Sequence, residues 1–360
     1  MIDDATTPSD QPVKPWWVYR ATGKAAPDNR PTDLVIQHLN PTDAPKWRQF
    51  GSTQESKRGA NYQATEQVID RVNAALLLRR PLLVTGRPGT GKTALAHAIA
   101  LELGLGKVLS WLITSSTTLP GGLYHYDAIG RLQDTPGLND PAQSDPEDST
   151  RRDRRPQIDK YLRLGPLGTA FAGKKEGDRY FPRVLLIDEI DKGDIDLPND
   201  LLHIFEEGKF EIPELKRDKK SSHEIKPWDN GPHVVIDEGE VPCHAFPIVI
   251  MTSNDEREFP PAFRRRCLEL KLEPPMKEDL KQIVYARLEL EQDSEHEGQI
   301  ERLVDDFLVR RTKGDLAADQ LLNAVYLVMQ QVDLLGEGKP IKDPEALLNA
   351  VYRYLNSSES

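Results

Sequence analysis

Pro81-Leu82-Leu83-Val84-Thr85-Gly86-Arg87-Pro88-Gly89-Thr90-Gly91-Lys92-Thr93 is the stretch from which the rest of the chain is read. An apolar run of strand length breaks into a glycine-rich turn, and a helical pattern over Ala94–Leu103 follows. Gly86, Gly91, Lys92 and Thr93 fit G-x-x-x-x-G-K-[ST], and they do so between a strand and a helix, the context that the motif requires. Glycines let backbone N–H groups converge on phosphate oxygens, and the following helix N-terminus favours the same negative charge. Gly86, Pro88, Gly89, Thr90, Gly91, Lys92, Thr93 and Ala94 form the expected cradle. Lys92 is the cation for the outer phosphates, and the Thr93 hydroxyl is a ligand for Mg²⁺. An incidental glycine turn supplies neither the full spacing nor Lys-Thr. The stretch reads as a nucleoside-triphosphate loop.

Two further apolar strands end in polar residues suited to the same chemistry. Val184–Ile187 runs into Asp188-Glu189-Ile190-Asp191. Asp188, at the carboxyl end of a buried parallel strand, is the second Mg²⁺ residue, and Glu189 is the group that polarises an attacking water. Phe246–Met251 runs into Thr252-Ser253-Asn254, so Asn254 reaches the same edge of a sheet; a plain turn asparagine is the alternative. Arg264, Arg265 and Arg266 follow, ahead of the strand-like Leu268–Leu272. Such a triplet is either a solvated basic patch or a source of a guanidinium for a neighbouring subunit's site.

The chain of 360 residues carries 47 Lys and Arg against 58 Asp and Glu. That length corresponds to about two to three domains, and the acidic balance argues against a broad duplex-DNA surface. Two cysteines, Cys243 and Cys267, and no signal-peptide pattern fit a reducing cytoplasm. No apolar run approaches the ~20 residues of a bilayer span. Residues 1–60 read as an extended N-terminal arm whose aromatic–arginine islands at 16–20 and 46–50 clip it onto its own domain, docking of an RNA base or a partner being the alternative. The periodicity predicts a helix over Ala64–Arg79 and a strand over Lys107–Ile113. Asp134–Pro156, ending in Arg151–Arg155, reads as a polar loop between ordered islands at Tyr124–Gly130 and Leu162–Leu167. A helix over Leu197–Glu207 precedes a predicted hairpin, its strands Phe210–Leu215 and His233–Ile236 joined through the charged run Lys216–Lys220. Helices over Asp279–Leu290, Gln299–Arg310, Ala317–Leu335 and Pro344–Leu355 form a C-terminal bundle. His223, His233, His244 and Cys243 lack the paired spacing of a zinc site.

The ordered set Gly86–Thr93, Val184–Asp191, Met251–Asn254 and Ala262–Cys267, closed by a helical tail, resembles an AAA+ ATPase. Asn199–Phe210 and the Leu164-Gly165-Pro166-Leu167 element are similar to the MoxR-like branch, and the resemblance covers about residues 61–330. It implies an α/β P-loop core (61–275) with a five-stranded parallel sheet and an all-α lid (276–360). ATP with Mg²⁺ would bind between them, and the chain would be a homo-oligomeric, hexameric ring. On this alignment Asn254 matches sensor 1, and Arg266 matches the arginine finger, with Arg265 its rival. Residues 114–172 match an insertion and 209–246 the hairpin before sensor 1. The sensor 2 arginine has no counterpart: Gly314-Asp315-Leu316-Ala317-Ala318-Asp319-Gln320 opens the corresponding helix, and the nearest cations are Arg310, Arg311 and Lys313.

The function that the resemblance implies is ATP hydrolysis that remodels or matures a protein partner, commonly one with a von Willebrand factor A domain. A nucleic-acid or defence-system motor is the second reading, its pore lined by the basic runs. A P-loop small-molecule kinase is the third, disfavoured by Glu189 beside Asp188.

Overall fold

A computed structural model describes residues 62–134, 157–290, 296–314, 316–330 and 343–353, with isolated positions at 44, 45, 59, 332, 334 and 335. The aromatic islands of the N-terminal arm, the loop at 135–156 and its arginine run lie outside the described residues. Contacts divide the chain into two compact units. One comprises Arg58–Gly86 and Gly91–Leu272; the other groups Arg87–Thr90 with Glu273–Ser360.

The first unit is α/β, built on a parallel sheet. Its strands are β1 (Leu82–Thr85), β2 (Leu109–Leu112), β3 (Val184–Asp188), β4 (Ile248–Ser253) and β5 (Leu268–Lys271). They lie in the order β5-β1-β4-β3-β2, every pair parallel. The three central strands β1, β4 and β3 read as near-continuous apolar runs because both faces are covered, whereas the edge strands β2 and β5 alternate buried with exposed residues. Alternation along each strand sorts the side chains. Leu82, Val84, Val184, Leu186 and Ile250 pack with Val68 and Ala75 of helix Glu66–Leu78 and with Leu95 and Ile99 of helix Lys92–Glu102. Leu83, Leu185, Ile187 and Met251 pack on the opposite side with Leu167 and Phe171 of helix Pro166–Ala172 and with Leu201 of helix Leu197–Glu207. Truncating one of these fully buried leucines to alanine costs about 2–5 kcal/mol.

Helix starts and stops follow local chemistry. Thr65 caps Glu66–Leu78 by accepting from Val68 N, and Gly208, in the left-handed region, ends Leu197–Glu207. Between β2 and β3, Tyr124–Tyr126 pairs antiparallel with Leu162–Leu164. Gly165 of the Gly-Pro-Leu element is required by close approach, since a Cβ there would lie 2.3 Å from the carbonyl oxygen of Gly122. A second small hairpin, Lys174–Glu176 with Arg179–Phe181, has no counterpart among the sequence expectations.

Two expectations are corrected. Phe210–Leu215 is not one strand: Lys209–Glu211 is a strand, and Pro213 opens a helical turn over Pro213–Lys216. Nor does Phe210 pair with the 233–236 run. Four strands form the sheet, with Lys209–Glu211 against Glu240–Pro242, then Val234–Asp237, then Ser222–Ile225. The deciding turn is Glu238-Gly239, both residues at positive φ, which folds Val234–Asp237 onto Glu240–Pro242. The third C-terminal helix ends at Met329, not Leu335.

The second unit holds helices Lys277–Leu288, Glu297–Arg311, Ala318–Met329 and Pro344–Val351. Leu280, Val284, Ile300, Leu303, Phe307, Leu321, Val325 and Leu348 form its core at helical spacing. No helix of the described residues is long and apolar enough to cross a membrane.

Candidate functional site

The order β1-β4-β3 sets the carboxyl ends of three strands side by side, with Thr85 opposite Ser253 and Met251 opposite Ile187. Residues leaving those ends therefore converge, the usual place for a ligand in an open parallel sheet. Gly91, at φ 91°, is the N-cap of helix Lys92–Glu102, and a Cβ there would press on the Tyr62 ring at 3.2 Å. Any larger residue would have to hold a disfavoured conformation against that ring.

Lys92 opens this helix and is buried, 8% exposed. Its Nζ donates to the Gly86 carbonyl at 2.6 Å and to Asn254 Oδ1 at 2.7 Å. Burial pulls the lysine below its ordinary pKa, and Asp191, Asp188, Asp255 and Glu189 counter that by favouring the charged form. Thr93 Oγ1 lies 3.2 and 3.3 Å from the two oxygens of Asp188. Lys92 with Asn254 and Thr93 with Asp188 thus form two hydrogen-bonded pairs from consecutive residues of one helix, joining residues up to 162 positions apart.

Two residues beside these pairs carried no role in the sequence reading. Thr252, 1% exposed, donates its hydroxyl to Asp188 Oδ1 at 2.5 Å and accepts from Glu189 N at 2.9 Å. Asp191 binds the end of β4 and the turn after it. The signals were there: a Thr-Ser-Asn end on one strand and a second Asp after Asp-Glu on another. Spacing alone does not say which would meet.

Glu189 adopts left-handed backbone, φ 60° and ψ 47°, a conformation costing a non-glycine residue about 1–2 kcal/mol. Its carboxylate lies 2.9 Å from Lys192 Nζ, and both side chains are more than a third exposed. Such a pair is a weak tether. Of the cradle residues, Gly86 follows β1, Ala94 lies in the first turn of helix Lys92–Glu102, and Pro88 and Gly89 fall in the turn that Thr90 closes by donating to the Arg87 carbonyl at 2.9 Å.

The arginine triplet is not hydrogen-bonded to these residues. It occupies helix Pro261–Arg266, whose terminal carbonyls have no partner within the helix. The Arg80 guanidinium supplies one, donating to the carbonyls of Arg265, Arg266 (3.0 Å) and Cys267 (3.4 Å). Arg264 forms a two-pronged pair with Glu269 at 2.7 and 2.8 Å. Arg266 is ion-paired with Glu206. Arg265 makes no side-chain hydrogen bond or ion pair among the described residues.

In the helical unit, Arg310 is committed to Asp306 at 2.6 Å. Arg311 donates to the Pro275 carbonyl, and burial together with the nearby Arg87 lowers its pKa. Arg87 and Arg311 line a cleft of about 560 Å³ with Glu273, Leu308 and Thr312. Elsewhere, Lys216 and Lys220 of the basic run are paired with Glu211 and Asp159. His223 is buried between Asp159 Oδ1 and the Lys220 carbonyl, and His244 stacks on Tyr180 at 4.0 Å. Among the described residues no group of three or more His, Cys, Asp or Glu is arranged to hold a metal. A scan against family models finds no match, and comparison with curated proteins finds none.

Proposed function

We propose that the chain is an ATP-hydrolysing AAA+ ring ATPase of MoxR-like type that remodels or matures a protein partner. The observation that carries this reading is the pairing of Lys92 with Asn254 and of Thr93 with Asp188, which brings the start of helix Lys92–Glu102 against two adjacent strand ends, with Glu189 next after Asp188 in the chain. Lys92 neutralises the outer phosphates, and the buried surroundings strengthen that interaction relative to water. Mg²⁺ is commonly held by one or two protein oxygens plus the phosphates, and the Thr93 hydroxyl beside the Asp188 carboxylate fits that donor set. When bound, it would supply charge neutralisation between the phosphoryl groups. Glu189 accepts the proton of the attacking water, for which its carboxylate must leave Lys192. Asn254, fixed to Lys92, orients the γ-phosphoryl end.

In the proposed ring, the finger comes from a neighbour's triplet. Arg266 and Arg265 are both candidates: Arg265 has no side-chain partner among the described residues, and the exposed Arg266–Glu206 pair is a weak tether that costs little to release. The paired state of Lys216 and Lys220 leaves less free positive charge for nucleic acid than the sequence suggested.

The test is steady-state ATPase activity of the full chain with buffer, DNA or RNA. Magnesium-dependent hydrolysis that Lys92→Ala and Glu189→Gln abolish, and that nucleic acid leaves unchanged, is the expected result. Strong stimulation by nucleic acid would favour the motor reading, and phosphorylation of a small metabolite without hydrolysis would favour a kinase.

A further inference from the structure

We infer that Asp191 is a positioning residue of the proposed nucleotide site, holding the turn from which Asn254 reaches Lys92; the inference rests on the ATPase reading above. Asp191 lies in the short turn Ile190–Lys192 after β3 and is 6% exposed. Its Oδ2 accepts three hydrogen bonds from the end of β4 and the residues that follow it: Ser253 Oγ at 2.9 Å, Asn254 N at 2.9 Å and Glu256 N at 3.3 Å. Its Oδ1 is equally buried and has no hydrogen-bond partner among the described residues.

A buried carboxylate with one unpaired oxygen is a poor choice for stability alone. What it does achieve is convergence: three donors of one short segment are drawn to a single point. With the Asn254 backbone amide pinned there, its side chain is held where Oδ1 meets Lys92 Nζ at 2.7 Å. The division of labour along β4 follows strand geometry, in which successive side chains point to opposite faces. Thr252 turns to Asp188 and Glu189 N, whereas Ser253 turns to Asp191. Asp191 also leads the carboxylates that favour the charged form of Lys92. It touches neither nucleotide nor water in this scheme and acts through Asn254.

The experiment compares Asp191→Ala, Asp191→Asn, Asn254→Ala and the double variant Asp191→Ala/Asn254→Ala in the full chain, reading kcat, KM and hydrogen exchange. A misplacement of order 1 Å costs up to about 10²-fold in rate, so Asp191→Ala should lower kcat about ten- to a hundred-fold. The KM for ATP should stay within about three-fold, because the phosphate cradle is untouched. Asp191→Asn should recover most of the loss, since its amide oxygen can still receive the three donors. In the Asn254→Ala background, Asp191→Ala should add no more than about two-fold. Turnover of Asp191→Ala within two-fold of wild type, independent multiplication of the two effects, or an Asn variant as impaired as the Ala variant would each overturn the assignment. Should Asp191→Ala fail to fold, Ser253→Ala replaces it in the same cycle: a loss of about three-fold that vanishes beside Asn254→Ala supports the role, and a persisting loss refutes it. Exchange at the Asn254 and Glu256 amides reads positioning without nucleotide. Protection must fall in Asp191→Ala and return in Asp191→Asn, and unchanged protection sinks the assignment even in a chain with no ATPase activity. A wild-type chain that neither binds nor hydrolyses ATP, yet shows that exchange pattern, overturns the ATPase reading alone.

Discussion

Replacing Thr252 by valine isolates one hydroxyl of the candidate site. Valine keeps the shape and burial of the side chain and removes two hydrogen bonds, to Asp188 Oδ1 and from Glu189 N. A bond to a charged group contributes about 1.5–3 kcal/mol, and a buried donor left unsatisfied costs about 1–3 kcal/mol. Because the two effects share one atom they do not simply add, and a loss of about 3 kcal/mol is expected. In a unit of roughly 200 residues that is a fall in Tm of about 6–12 °C. The consequence for turnover follows from Glu189. Its left-handed backbone costs about 1–2 kcal/mol, and the bond from its N–H to Thr252 contributes a comparable amount, about 0.5–1.5 kcal/mol. Without that bond the turn relaxes and the Glu189 carboxylate shifts, so kcat should drop at least ten-fold while ATP affinity stays near wild type. Calorimetry and a coupled ATPase assay measure both effects, and Thr252→Ser, which restores the hydroxyl, should return most of each. A valine variant with wild-type Tm and turnover would refute the reasoning.

Further outcomes follow from the same geometry. Glu189→Gly should raise stability by up to about 1 kcal/mol, because glycine adopts φ 60° freely, while abolishing hydrolysis; denaturant midpoints and turnover check it. Among the arginines, either Arg265→Ala or Arg266→Ala should bind ATP normally yet lose about 10³-fold or more in turnover, the scale of fingers elsewhere. Arg264→Ala should remain near wild type. Mixing the impaired variant with Lys92→Ala subunits should restore part of the activity, and mixtures that never recover would rule out a shared site. Asp159 is held below its ordinary pKa: burial works to raise it, and the hydrogen bonds from Lys220 and His223 outweigh that. The stability this contributes is present above the unfolded value near 3.8 and is lost as pH falls through the lower folded value. Asp159→Asn should therefore lower the urea midpoint at pH 7 and flatten its decline below about pH 4.

Much of the parallel core was legible because its signals are local. The Gly86–Thr93 spacing and the apolar run Val184–Ile187 each define an element without reference to the rest of the chain. The meeting of Thr93 with Asp188 was expected from their shared chemistry at strand ends and not from spacing, since strand order alone brings them together. The hairpin region was misread because Phe210-Glu211-Ile212 alternates like a strand while Pro213 ends it, and because Glu238-Gly239 was not taken as the turn that sets register. The resting partners of the arginines were equally invisible, because Arg266 finds Glu206 across 60 positions and Arg80 finds Arg266 across 186.

Arg80 immediately precedes Pro81, whose carbonyl accepts from Leu268 N at the start of β5. One short segment therefore grips both ends of the Arg265–Leu268 corner and then becomes the strand that carries the phosphate loop. The corner is thereby tied to β1, the strand that leads into the glycine-rich loop. In the proposed ring, the arginine offered to a neighbour and the strand leading to the subunit's own loop are therefore anchored to each other through one residue pair, Arg80 and Pro81.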